Sequence, residues 1–144
     1  MSGFIAFVAA VAAAIYTNIA GSASTSLIGG GSCSVTLTVR RDGTWQLTNV
    51  SGTPTLSPSG SQTWLTPNNA GSGDARWVRV TNAGPDAPTG TLATWLALTA
   101  DRAWVLTAPP ATTVNCTLTV AIATDSGGSN IVSSGSVTLH ADND

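Results

Sequence analysis

The chain contains no Lys and no Glu. All five basic residues are Arg and all seven acidic ones Asp, so charged side chains make up only 8% of its 144 residues. An ordinary soluble domain carries about 25%. In their place stand 22 Thr and 16 Ser, hydroxyls that keep a surface soluble less well than charges do. Such a surface suits an assembly better than a free monomer. With a net charge of -2, the attraction to phosphate that drives nucleic-acid binding is missing, and no nucleic-acid partner is expected. Cysteine is scarce too. Cys33 and Cys116 are too few for a disulfide framework and lack the spacings of zinc or redox sites. Both fall in phase with inward-facing residues, which leaves open either one bridge closing a long loop or two buried thiols.

Catalytic side chains are just as sparse. The only histidine, His140, lies near the C-terminus, and no Gly-x-Ser-x-Gly elbow accompanies it. The Gly-rich stretches lack the Lys of a phosphate-binding loop, and Asp residues such as Asp42, Asp86 and Asp125 occupy turn positions rather than forming a paired-carboxylate site. Asp142, Asn143 and Asp144 read as solvated residues rather than calcium ligands. No enzyme activity, cofactor or metal is therefore expected.

A long apolar run, in contrast, is present. Residues 1–39 hold no charged side chain, and Phe4 to Ala20 is almost entirely Ala, Val, Ile and Phe. Phe4, Val8, Val11 and Ile15 recur at steps of four, three and four, the spacing of one helical face. Ile5, Ala12 and Ile19 broaden that stripe, and Ala6, Ala9, Ala10 and Ala13 line the opposite side. The expectation is a helix over 1–20 that is apolar all round and buried on every side. A secretory signal would need a positive n-region, which is absent, although Gly21-Ser22-Ala23-Ser24 has the small residues of a cleavage site. A transmembrane span would need about 20 apolar residues with basic anchors; this run has 17 and no such flanks. The favoured reading is burial in protein, with Phe4, Val8, Val11, Ile15 and Ile19 as an assembly interface against sister copies or a neighbouring ring protein. A membrane tether is the second reading.

Residues 21–32, rich in Gly, Ser, Thr and Ala, read as a flexible connector. From Cys33 the period becomes two: Cys33, Val35, Leu37 and Val39 alternate with Ser34, Thr36 and Thr38. Asp42-Gly43 supplies a hairpin turn before Trp45 and Leu47. Cys116, Leu118, Val120 and Ile122 form another inward face, and Asp125-Ser126-Gly127-Gly128 turns the chain towards Val137, Leu139 and Ala141. Seven or eight short strands over 33–144 predict an antiparallel β-sandwich of immunoglobulin-like type.

Tryptophan supplies all the aromatic content of that module. Trp45 and Trp104 share the phase of core leucines. Trp77 instead shares a face with Arg79 and Thr81, and Trp95 opposes Leu96 and Leu98. Trp77 and Trp95 are therefore candidates for a subunit interface or, less favoured, a sugar platform. The competing reading is that one of them covers the sandwich edge, stacked under Arg79.

An apolar helix, a Gly/Ser connector and a Lys-free module of the form Trp77-Val78-Arg79-Val80, Trp95-Leu96-Ala97-Leu98, Trp104-Val105-Leu106, Cys116-Thr117-Leu118-Thr119-Val120 and Val137-Thr138-Leu139 together resemble small structural proteins of tailed-bacteriophage virions. The resemblance is architectural and spans the whole chain. The Cys, Trp, Cys and tyrosine-corner spacing of antibody domains is absent, the only Tyr being Tyr16. What the resemblance implies is a virion location in tail, fibre, baseplate or capsid, with assembly in the host cytoplasm. Copies of itself and other virion proteins would be the partners, and a host-surface glycan a further one. The alternative is a membrane-tethered bacterial surface module that binds carbohydrate as an adhesin.

Overall fold

A computed structural model of the chain describes residues 20–27, 31–41, 44–57, 61–63 and 76–144. The described residues are mainly β. In chain order the strands are β1 (Ala20–Ser26), β2 (Cys33–Val39), β3 (Thr44–Asn49), β4 (Thr53–Ser57) and β5 (Ser61–Thr63), then β6 (Trp77–Asn82), β7 (Leu96–Ala97), β8 (Arg102–Ala108), β9 (Thr112–Ala123) and β10 (Ile131–Asn143). A six-stranded sheet runs β4-β1-β10-β9-β6-β7, and a four-stranded sheet runs β5-β3-β2-β8.

Period-two alternation decides which side chains the sheets enclose. From the four-stranded sheet come Val35, Leu37 and Val39, Trp45 and Leu47, and Trp104 and Leu106. From the six-stranded sheet come Val78 and Val80, Leu118, Val120 and Ile122, and Val137 and Leu139. All pack into one apolar cluster between the sheets. Trp104, fully buried, faces Leu37 across the β2–β8 ladder, and its indole N–H donates to the Thr91 carbonyl at 2.7 Å. Without that acceptor, so large a buried ring would leave its one polar group unsatisfied.

The β2–β3 hairpin expected around Asp42-Gly43 is flanked by paired strands, with Val39 opposite Trp45 and the Arg40 N–H donating to the Thr44 carbonyl at 2.8 Å. The two turn residues themselves lie outside the described set. Exposed edges are kept unattractive to further strands. The free side of β8 is occupied at Val105 by Thr89, which exchanges two backbone hydrogen bonds with it, at 2.8 and 2.9 Å. On the outer edge of β4, Pro54 lacks a donor N–H.

Two sequence expectations change here, and a third falls almost wholly outside the described residues. Residues 21–32 are not simply a connector, because Ala20–Ser26 forms β1, which lies between β4 and β10 in the six-stranded sheet. Its inward residues are the small Ala23 and Thr25, so the strand lacks the bulky alternation that reveals its neighbours. The arrangement is not wholly antiparallel either, since β1 pairs parallel to β10, from Ala20 opposite Ser136 to Ser26 opposite Asp142. The helix expected over 1–20 finds no support, because residues 1–19 lie outside the described set and Ala20 opens a strand.

Candidate interaction surfaces

The outward face of β6 carries Trp77, Arg79 and Thr81, as its phase predicts, while Val78 and Val80 are buried. Small residues flank the first two. Trp77 lies between Ala97 and Ala123, and Arg79 opposite Ala121. The Arg79 guanidinium stands over the Trp95 ring, 4.7 Å from its centroid, a cation–π distance. Gly128 presses on the same ring from the β9–β10 turn: a Cβ there would fall 2.3 Å from Trp95 Cε2 and Cζ2. Gly128 also has φ of +74°, where a side chain is strained in any case. Trp95 is thus engaged by both a guanidinium and a glycine backbone. Trp77 and Trp95 are both half-buried.

Asp125 shapes the turn that holds Gly128. Its carboxylate accepts from the Ser129 N–H at 2.9 Å and the Asn130 N–H at 2.8 Å, and its carbonyl accepts from the Gly128 N–H at 3.2 Å. These donors, first that of Ser129 and then that of Asn130, hold the Asp125 carboxyl below the usual carboxylate range.

The rest of the six-stranded sheet's outer surface consists largely of hydroxyls arranged in rows. One row crosses four strands as Ser57, Ser22, Thr138 and Thr117, and the next as Thr55, Ser24, His140 and Asn115. On the smaller sheet, Ser34 and Thr107 pair their hydroxyls at 2.9 Å across β2 and β8. These rows leave the sheet with an outer surface of low charge, and charged residues are depleted at the centres of protein interfaces.

The two cysteines are brought into different places. Cys33 and Cys116 are both buried and free, so no bridge links them. Cys33 packs with Ala108 and Ala141 at one end of the sandwich, while Cys116 belongs to the main cluster. Burial, reinforced by the nearby Asp86 carboxylate, pushes the Cys116 thiol up to about 11 and keeps it protonated.

Near the C-terminus the Thr113 hydroxyl meets Asp142 at 3.0 Å and Asp144 at 2.9 Å. Among the described residues no group of three or more His, Cys, Asp or Glu is placed to hold a metal ion, and no helix is long and apolar enough to cross a membrane. Phe4, Val8, Val11, Ile15 and Ile19, the expected assembly interface, lie outside the described residues, as does Trp64.

One residue that sequence reading passed over is Asn143, placed there among solvated tail residues. It is fully buried, and its amide donates to the carbonyls of Gly31 at 3.1 Å and Ala108 at 3.0 Å, tying the end of β10 to the start of β2 and the end of β8. Only its phase, two residues beyond the inward Ala141, signals this role. Set against known proteins, the chain matches no family model, no curated protein and no solved structure.

Proposed function

We propose that this chain is a non-enzymatic structural subunit of an assembled particle, of the tailed-bacteriophage virion type. In that reading the apolar N-terminal segment docks into the assembly, and the β-sandwich is displayed for contact with other subunits or a host surface. The observation that carries it is the junction at Ala20. The apolar run leads without a spacer into β1, a strand paired on one side with β10 and on the other with β4. A docking segment in this position would adjoin a strand paired on both edges, and position is what a structural subunit must transmit. The scarcity of charge supports the same reading, because charged residues are depleted at the cores of protein interfaces.

An immunoglobulin-like arrangement of the sandwich belongs to this proposal. Supporting it are the β9–β10 hairpin beside β6, β2 beside β8 in the opposite sheet, and the first strand lying along the last. The hairpin partner β3 and the strands β4 and β5 stand between β2 and β6 as additions to that frame. A sugar platform is weakened at Trp95, whose ring is already engaged by the Arg79 guanidinium and by Gly128.

The test is incorporation. In particles purified by density gradient from cells producing either form, the full-length chain is expected to co-sediment with the particle, and a chain beginning at Ala20 to stay in the soluble fraction. Equal incorporation of the shortened chain would overturn the proposal.

A further inference from the structure

We infer that the β1–β10 pair is a mechanical clamp that carries tension applied between the entry to β1 and the exit from β10. The chain enters β1 at Ala20 and leaves β10 beyond Asn143. Because the strands are parallel, with seven registered pairs from Ala20 opposite Ser136 to Ser26 opposite Asp142, these two points lie at opposite ends of one ladder. Tension between the termini therefore slides β1 along β10 in shear. Parallel ladder bonds are evenly spaced, so they share that load and must fail together. The chain between the two strands can be drawn out only after the ladder breaks.

The surroundings of the pair oppose sliding. On its other edge β1 is held by β4, from Ser22 opposite Ser57 to Ser26 opposite Thr53. Below it, Ala23 and Thr25 are buried, and the Thr25 hydroxyl donates to the Ser51 carbonyl at 3.0 Å. The far end is fastened several times: the Leu27 N–H donates to the Asp142 carbonyl at 2.8 Å, and the Ala111 N–H to the Asn143 carbonyl at 2.7 Å. The Asn143 amide secures both neighbouring loops. Behind all this, β10 is backed by β9 from Ile131 to Asn143. This inference goes beyond the proposed role and does not depend on it, since such a clamp would serve any anchor attached to the N-terminal segment.

Single-molecule force spectroscopy of the full chain tests it without any particle. With handles at both termini the ladder is sheared. With handles at the N-terminus and at the exposed Ser126 of the β9–β10 turn, both strands are pulled from the same end and the ladder opens pair by pair from Ala20. Forced unfolding reads the unfolding barrier, so the rupture force is expected to fall at least about twofold in the second geometry. Two variants separate the clamp from general stability. Ser22→Pro removes one N–H of a strand whose donors serve ladders on both edges, and should lower the end-to-end rupture force. Leu47→Ala hollows the core beneath the other sheet, and should lower the thermal midpoint with little change in that force. If Ser22→Pro does not fold, the comparison of pulling directions on the unaltered sequence decides. Equal forces in the two directions, or an equal loss of force in Leu47→Ala and Ser22→Pro, would overturn the clamp.

Discussion

Ala111 occupies a backbone conformation that costs most side chains energy. In the turn Pro109-Pro110-Ala111-Thr112, the Thr112 N–H donates to the Pro109 carbonyl at 3.2 Å, and Ala111 has φ of +64°. That is the pattern of a type II turn, in which Pro suits the second position and Gly the third. An L-residue there costs roughly 1–2 kcal/mol, part of which Gly gives back through its freer unfolded chain. Ala111→Gly is therefore expected to stabilise the sandwich by about 0.5–1 kcal/mol, read as a higher urea midpoint at constant slope. A lower midpoint would mean that the strain is absent or already compensated. Single positions were readable from the sequence where phase was the only signal required. Trp45 and Trp104 fall in the core, and Trp77 and Arg79 on the outer face. Where a residue acts through a distant partner, phase is not enough: Trp95 is covered by Gly128 from 33 positions away in the chain, and nothing local announces that.

Whole elements were legible when one face was bulky and the other polar. β2, β6 and β9 satisfy this, and their limits match the alternation closely. β1 and β4 do not. β1 faces inward with Ala23 and Thr25, and β4 carries a Pro that its edge position tolerates, so composition alone describes both as loop. Their strand character comes from the neighbours that pair with them, a tertiary effect that outweighs local preference. The β9–β10 turn shows the opposite case, in which local chemistry suffices. Asp125 holds the Ser129 and Asn130 N–H groups, and its carboxyl titrates below its ordinary value of 3.8. A depressed folded-state value means the turn gains stability that is fully present above the unfolded value and is lost as pH falls through the folded one. Hydrogen-exchange protection of the Ser129 and Asn130 amides should therefore decline as pH drops from about 4 towards 2. In Asp125→Asn, which cannot titrate, the same amides should start less protected and show no such decline. A parallel decline in that variant would assign the acid sensitivity to another group.

At the scale of the whole molecule, β1 is the piece that closes the six-stranded sheet, because it lies between β4 and β10. Removing residues 1–19 leaves every described strand intact, whereas removing residues 1–26 also strips β1. The longer deletion uncovers the β10 edge from Ser136 to Asp142 and leaves β4 without its ladder partner among the described residues. It also removes the buried Ala23, which packs in the main cluster beside Leu139. A freshly exposed, regular edge next to apolar side chains invites pairing between chains. The two truncations are thus expected to differ sharply. The chain starting at Ala20 should melt within about 4 °C of the full-length protein, the shift produced by roughly 1 kcal/mol in a domain of this size. The chain starting at Leu27 should melt far lower or aggregate, as thermal unfolding and light scattering would show. If the two melted alike, β1 would be an ornament on the sheet edge rather than one of its members, and the parallel pairing could not act as the joint between the N-terminal segment and the sandwich.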